Sequence, residues 1–348
     1  MHIPDGYLSP QTCGILGAAS AATTALATYK TAKTVKAKYI PLISIGAAFS
    51  FLVMMFNIPI PDGTSAHGVG GALLAIILGP WAAFVSVSIA LIIQALFFGD
   101  GGILALGANI FNIAFVLPFS GYYIYKWISG KSHVTSKRRW IAAGIAGFIA
   151  LNLSALFTAV EFGIQPLLFQ APDGTPLYSP YGLNIAVPAM AFAHLLVAGP
   201  VEAIISGMVL SYLQKSNPSL LTLLANTPGT EIPRWKKLIP GLGALVLLSP
   251  LGLLAQGAAW GEWGVEEIEA KLGFIPEGME RFSDIWKPLL LPDYSIAGWG
   301  QAFWQQALGY IAAAIAGLIL ILIVAYLAGK FSAKGDKSGG AAELVTRK

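Results

Sequence analysis

Four stretches of this chain contain no Asp, Glu, Lys or Arg: Gly63 to Gly99, Gly101 to Tyr125, Trp140 to Val160 and Gly174 to Val201. A helix crosses the hydrocarbon core of a bilayer in about 20 apolar residues, and each stretch reaches that length. Soluble domains carry about 25% charged residues; this chain of 348 residues carries 11% and is 56% hydrophobic. The pattern predicts an all-α polytopic membrane protein.

Apolar segments run over 10–29, 39–56, 68–98, 102–125, 140–161, 184–213, 238–258 and 307–328. The third contains Gly79-Pro80. Proline removes a backbone donor and clashes with the preceding turn, so this segment is either one kinked helix or two. The excess of Lys and Arg on cytoplasmic loops decides between them. With the N-terminus outside and 68–98 crossing twice, the clusters Lys30–Lys38, Lys126–Arg139, Lys215–Lys237 and Lys330–Lys348 all fall inside. That places 18 of 21 basic residues in the cytoplasm and leaves Lys271, Arg281 and Lys287 outside. A single crossing would put Lys126–Arg139 outside. The expected count is nine segments, seven up to residue 213 and two more. The piece 68–79 is too short to span alone and reads as a half-helix whose ends are satisfied by protein. Placed this way, the net charge of +4 is a topological signal and requires no nucleic-acid partner.

The first ten residues, the loop 57–67 and the loop 259–306 then share the outer side. The last carries eight acidic residues, Glu262, Glu266, Glu267, Glu269, Glu277, Glu280, Asp284 and Asp293, and reads as a solvated face with mild attraction for cations. The polar, proline-containing stretch 214–237 reads as a cytoplasmic linker between a membrane body (1–213) and a two-segment part (238–331). Residues 332–348 are small and charged, a composition that favours disorder. Pro-Asp-Gly recurs at 4–6, 61–63 and 172–174; it is ordinary turn chemistry and marks no internal repeat. The single cysteine, Cys13, excludes an internal disulfide framework and thiolate-rich metal sites. No cleavable leader pattern is present, so Met1 is expected to be the true N-terminus.

Of the four histidines, His133 lies in a basic cytoplasmic loop and reads as solvated. His194 and Glu202 are eight residues apart in one apolar segment. At 3.6 residues per turn they share a face two turns apart. Ionisable groups within the membrane are expensive and usually functional, so this pair reads either as a polar clasp between helices or as a substrate contact. His2 has a different possibility. The α-amine of Met1, the amide nitrogen of His2 and the His2 imidazole can close a five-membered and a six-membered chelate ring around one metal ion. His67, on an outer loop, could supply a fourth nitrogen. Four nitrogens in a plane favour Ni(II) or Cu(II), whereas tetrahedral sites suit zinc. Taken alone this signal is weak, because a histidine at position 2 also occurs with no metal role. Gln94, Asn109 and Asn112 lie in apolar helices and read either as outer-shell partners of those histidines or as helix–helix hydrogen bonds.

The combination of MHIPDGYLSP, NIPIPDGTSAHGVGGALLAIILGPWAA and FFGDGGILALGANIFNIAFV resembles the nickel/cobalt substrate-binding membrane component of energy-coupling factor (ECF) transporters, the NikM/CbiM family. The resemblance covers about residues 1–213. The loop PDGTSAHG at 61–68 is similar to the nickel branch; the cobalt branch more often has another opening after MHI and a Ser/Cys-rich loop. Residues 238–328 resemble the small two-helix companion subunit of such systems, of NikN-like or PDGLE type, with PEGME at 276–280 in place of the name-giving residues. The resemblance implies an S-component bundle: a six-helix core plus an extra N-terminal helix that carries the chain terminus into the bundle, followed by two further transmembrane helices. It implies metal held by Met1, His2 and His67. It implies Ni(II), or alternatively Co(II), as transported substrate, with no cofactor of the chain's own. The implied partners are a transmembrane coupling protein and two ATPase subunits, in a prokaryotic inner membrane with the C-terminus cytoplasmic.

The chain itself is not expected to be an enzyme. Lys131 and Ser132 follow Gly130, but Tyr125 stands where a P-loop needs its first glycine. A membrane metalloenzyme is disfavoured by the lack of an HExxH pair. The remaining alternative is a structural membrane subunit in which His2 and His67 are incidental.

Overall fold

The computed structural model describes residues 1–34, 40–60, 64–225, 235–255, 257–300 and 302–345. The expected loop turn at 61–63 and much of the expected linker, 226–234, lie outside these residues. Helix α1 (Pro10–Thr34) is followed by α2 (Ile40–Met54) and a small antiparallel hairpin, β1 (Ile58–Ile60) with β2 (Thr64–Ala66). Then come α3 (Gly71–Leu78) and α4 (Pro80–Ile93), the latter continued by a π-helical turn over Gln94–Phe98. Helix α5 (Leu106–Asn109) passes through a π-helical stretch, Ile110–Val116, into α6 (Leu117–Ser129). The long α7 (Lys137–Leu168) is followed by α8 (Leu183–Ala193), a π turn at His194–Ala198 and α9 (Gly199–Ser216). The C-terminal part contributes α10 (Ile239–Leu248), the short outer helices α11 (Val265–Leu272) and α12 (Glu277–Phe282), and α13 (Phe303–Val345).

The break expected between 68–79 and 80–98 is present. Gly79 takes φ 85° and ψ 157°, outside the helical region, and Pro80 opens the next helix, where its missing N–H costs nothing. Five helices are long and apolar enough to cross a membrane among the described residues: Pro80–Phe98, Lys137–Leu168, Leu183–Ser216, Lys236–Leu254 and Phe303–Leu327. Nine segments are expected from the charge map. Two of the other four are short, at 15 residues for α2 and 8 for α3. Helix α1 and the run 106–129 are long enough but are diluted by Ser, Thr and Lys in the first and by Asn109, Asn112 and tyrosines in the second. Ten of the fifteen residues of α2 and seven of the eight of α3 are buried, so neighbouring helices supply much of their surroundings.

Helix α7 is the central post and packs on α6, α8 and α9. Its Ile141, Ile145 and Ile149 are exposed at four-residue spacing, the pattern of a stripe turned to lipid. Helix α1 lies on α4 and α5. The C-terminal part docks on α2 through α10 and α13, and the Tyr310 hydroxyl donates to the Met55 carbonyl at 3.2 Å. Helix α13 continues through Val345.

Candidate metal site

Residues 1–9 form no helix, yet Met1, His2 and Ile3 are 5%, 2% and 0% exposed. The segment is held by side chains and backbone of the body. Asp5 accepts from the backbone N–H groups of Ile103, Leu104 and Ala105 at 2.9, 2.8 and 3.1 Å. These are free donors just ahead of α5, which a carboxylate satisfies well. Gly102 N–H donates to the Ile3 carbonyl at 2.8 Å. Asn109 grips Ile3 from both sides: its Oδ1 accepts from Ile3 N–H at 2.8 Å, and its Nδ2 donates to the Ile3 carbonyl at 3.1 Å. Ser9 N–H donates to Gln165 Oε1 at 3.0 Å. Replacing Asp5 by Ala orphans three backbone donors. The expected cost is about 3 kcal/mol of stability, read as a lower melting temperature of the purified protein together with weaker metal binding.

His67 reaches the same place from the loop after β2. Its Nδ1 lies 3.0 Å from the Gly68 carbonyl. That contact makes Nδ1–H the donor and leaves the lone pair on Nε2. The loop is fixed by Glu202 of α9, which is fully buried and accepts from Val69 N–H at 2.8 Å and Gly70 N–H at 2.9 Å. The His2 and His67 rings stack, with centroids 5.1 Å apart and planes at 27°. Burial, reinforced by the adjacent α-ammonium, lowers the His2 imidazole from its ordinary 6.5 to about 4. Burial likewise lowers His67 well below its ordinary value. Both rings are therefore neutral at physiological pH, the state in which imidazole binds metal.

Two acidic groups complete the surroundings. Asp100 Oδ1 lies 3.1 Å from His2 Nδ1; the contact lacks hydrogen-bonding direction, and neither His2 ring nitrogen has a hydrogen-bond partner. Asp100 Oδ2 accepts from the Tyr294 hydroxyl at 2.6 Å and from Gln94 Nε2 at 3.2 Å. Glu262 Oε1 lies 2.6 Å from the Met1 α-ammonium. His2, His67 and Glu262 each offer a ligand atom, and these atoms lie within 4.8 Å of one another.

The structure thus gathers Met1, His2 and His67, with Asn109 and Gln94 beside them. It does not bring Asn112 there. The Asn112 Nδ2 group donates to Glu161 Oε2 at 2.7 Å and Thr158 Oγ1 at 3.2 Å, in a separate buried polar cluster on α7. Asn109 ends α5 and Asn112 lies in the π-helical stretch, which widens the turn and rotates Asn112 off the face that Asn109 occupies. His194 and Glu202 also serve different partners. His194 opens a π turn and its Nδ1 meets the Met190 carbonyl at 2.8 Å, while Glu202 serves the His67 loop. No hydrogen bond joins the two among the described residues. Sequence reasoning missed Asp100, Tyr294 and Glu262. The Gly-Asp-Gly of FFGDGGI was a visible signal for Asp100; nothing local distinguished Glu262 among the acidic residues of its loop.

Fold and site together define a polytopic helical membrane protein that buries its own N-terminus beside two histidines. Residues 2–220 match the CbiM family model, described as the cobalt uptake substrate-specific transmembrane region, and residues 235–334 match the PDGLE domain. The chain belongs to the CbiM family. It is similar to the fused nickel transport protein NikMN of Rhodobacter capsulatus, at 45% identity over 92% of this chain and 95% of that protein. It is also similar to a protein of Lactiplantibacillus plantarum named as a probable fused nickel transport protein, LarMN, at 42% identity over 93% of this chain and 96% of that one. A crystal structure of a transition metal transporter matches with TM-score 0.58 and 56% identity, covering 62% of this chain and 93% of that one.

Proposed function

We propose that this chain is the substrate-specific membrane component of an ECF-type nickel transporter, binding Ni(II) from the outer side through the Met1 amine, the His2 amide and imidazole nitrogens and the His67 imidazole. The observation that carries this reading is the burial of the chain's own amine beside two neutral imidazoles. Burying a positive charge without purpose is costly. Here the ammonium is compensated by Glu262, and loss of its proton would free a nitrogen donor beside the two imidazoles. The similarity to fused nickel transport proteins over nearly the whole chain supports nickel; the family description names cobalt, and Co(II) is the alternative substrate of the same site. Hydrolysis of ATP belongs to separate partner subunits joined through a coupling membrane protein, and the N-terminus faces outward while the C-terminus is cytoplasmic.

Equilibrium dialysis of the purified chain tests the reading: one equivalent of Ni(II) bound tightly supports it, and no binding above background returns His2 and His67 to a structural role. The pH dependence follows from the donors. Chelation expels protons from the amine and the amide, so affinity falls as pH falls. The imidazoles add nothing to that slope near neutrality, because they are already neutral; a proton on His2 contributes only near and below about pH 4. Competition titrations between pH 6 and 8 should give a slope of about two protons per nickel. A slope near four would show that both imidazoles are charged before metal arrives.

A further inference from the structure

Glu262 belongs to the C-terminal part, yet it is the ion-pair partner of Met1. Its position is built in detail. Glu262 N–H donates to the Ala259 carbonyl at 3.0 Å, closing a four-residue turn. Gly261, the third residue of that turn, has φ +82°, the conformation that a type II turn reserves for glycine. A Cβ on Gly261 would stand 2.5 Å from a ring carbon of Phe162 on α7, so the turn is pressed directly onto the body. The Tyr7 hydroxyl donates to the Trp263 carbonyl at 2.9 Å, which ties the far side of the turn to the N-terminal segment. Trp260 and Trp263 pack on Tyr181 in tilted and edge-on contacts and meet each other edge to face. Two independent features point to a ligand here. The buried His2 ring offers two nitrogens with no hydrogen-bond partner, and Glu262 shares the space in which the His2 and His67 ligand atoms converge.

We propose that Glu262 is the outer-shell partner of the metal-binding amine, so that the substrate site is shared between the two parts of the chain. This rests on the reading of Met1 as a nickel ligand. An amine bound to metal through its lone pair still carries N–H bonds. One of them can donate to Glu262 across the contact already formed, which fixes the direction of the lone pair. The carboxylate also opposes the charge of the incoming cation. Outer-shell carboxylates orient metal ligands in this way, and their loss typically costs about 10–100-fold in affinity. Because Glu262 lies on the C-terminal part, occupancy of the site and docking of the Trp260–Trp263 turn are coupled, and coupling of this kind is reciprocal.

The test uses the full chain in detergent, with Ni(II) as the probe. Affinity is measured by chelator competition for wild type, Glu262→Ala, Glu262→Gln and the exposed control Glu266→Ala. The expected result is a loss of about 10–100-fold for Glu262→Ala, a smaller loss for Glu262→Gln, whose carbonyl oxygen still accepts the N–H, and no change for Glu266→Ala. Hydrogen exchange gives a second readout on the unaltered protein: nickel should increase protection of amides 259–263 in wild type. A Glu262→Ala protein with wild-type affinity, or a wild type whose turn shows no change in protection on loading, overturns the proposal. Wild type that binds no nickel overturns the underlying reading instead, which keeps the two failures distinct.

Discussion

A version of this chain carrying one additional residue ahead of Met1 is expected to lose tight nickel binding. The amine would become an amide, and the five-membered chelate ring that it closes would disappear. There is also no room for the addition. Met1 is 5% exposed and its ammonium touches Glu262 at 2.6 Å, so a preceding residue must displace the turn at 259–262 or pull His2 out of register with His67. Four ligands share about 10–16 kcal/mol in a structural metal site. Loss of one donor and the geometry of a second amounts to about 4 kcal/mol or more, on the order of a thousandfold in Kd. Chelator competition on extended and unextended proteins measures it. Full affinity in the extended protein would remove the amine from the ligand set.

His67→Ala is the second large effect. It leaves the amine, amide and imidazole of residues 1 and 2 in place and deletes the donor from the opposing loop. The expected loss is about 3 kcal/mol, the share of one ligand in four, or on the order of a hundredfold in Kd. The ligand-field absorption band should also shift, because water takes the fourth position. The loop itself should survive, since Glu202 holds Val69 and Gly70 and Ser50 donates to the Val69 carbonyl at 2.9 Å. An unchanged band and affinity would place His67 outside the coordination sphere.

Much of this was legible in the sequence, for reasons that differ from residue to residue. The spans were readable because lipid tolerates few charges, and the break at Gly79-Pro80 because proline lacks a donor. The chelate proposed for Met1 and His2 was readable because it needs only adjacent residues. His67 was readable only as a candidate on the same outer side, which the family resemblance then strengthened, since its meeting with His2 depends on packing across the bundle. Asn112 takes the helix–helix role that was one of its two readings; the three-residue spacing from Asn109 could not decide between them, because it assumes a regular helix and a π-helical stretch begins between the two. A π turn is a response to packing and leaves no mark in the composition. Glu262 was hidden for a different reason. In sequence it stands in an acidic loop whose other members, such as Glu266, Glu267 and Glu269, are exposed. Only the docking of the C-terminal part, 261 residues away along the chain, gives it a role.

The central claim is that the terminus of this chain is itself part of the metal site, and X-ray absorption on the nickel-loaded, unextended full chain tests it most directly. Four nitrogen scatterers in a planar arrangement, two of them with the signature of imidazole rings, are the predicted result. A sulfur scatterer, which would bring in the Met1 thioether in place of its amine, or a six-coordinate shell dominated by oxygen, would contradict it.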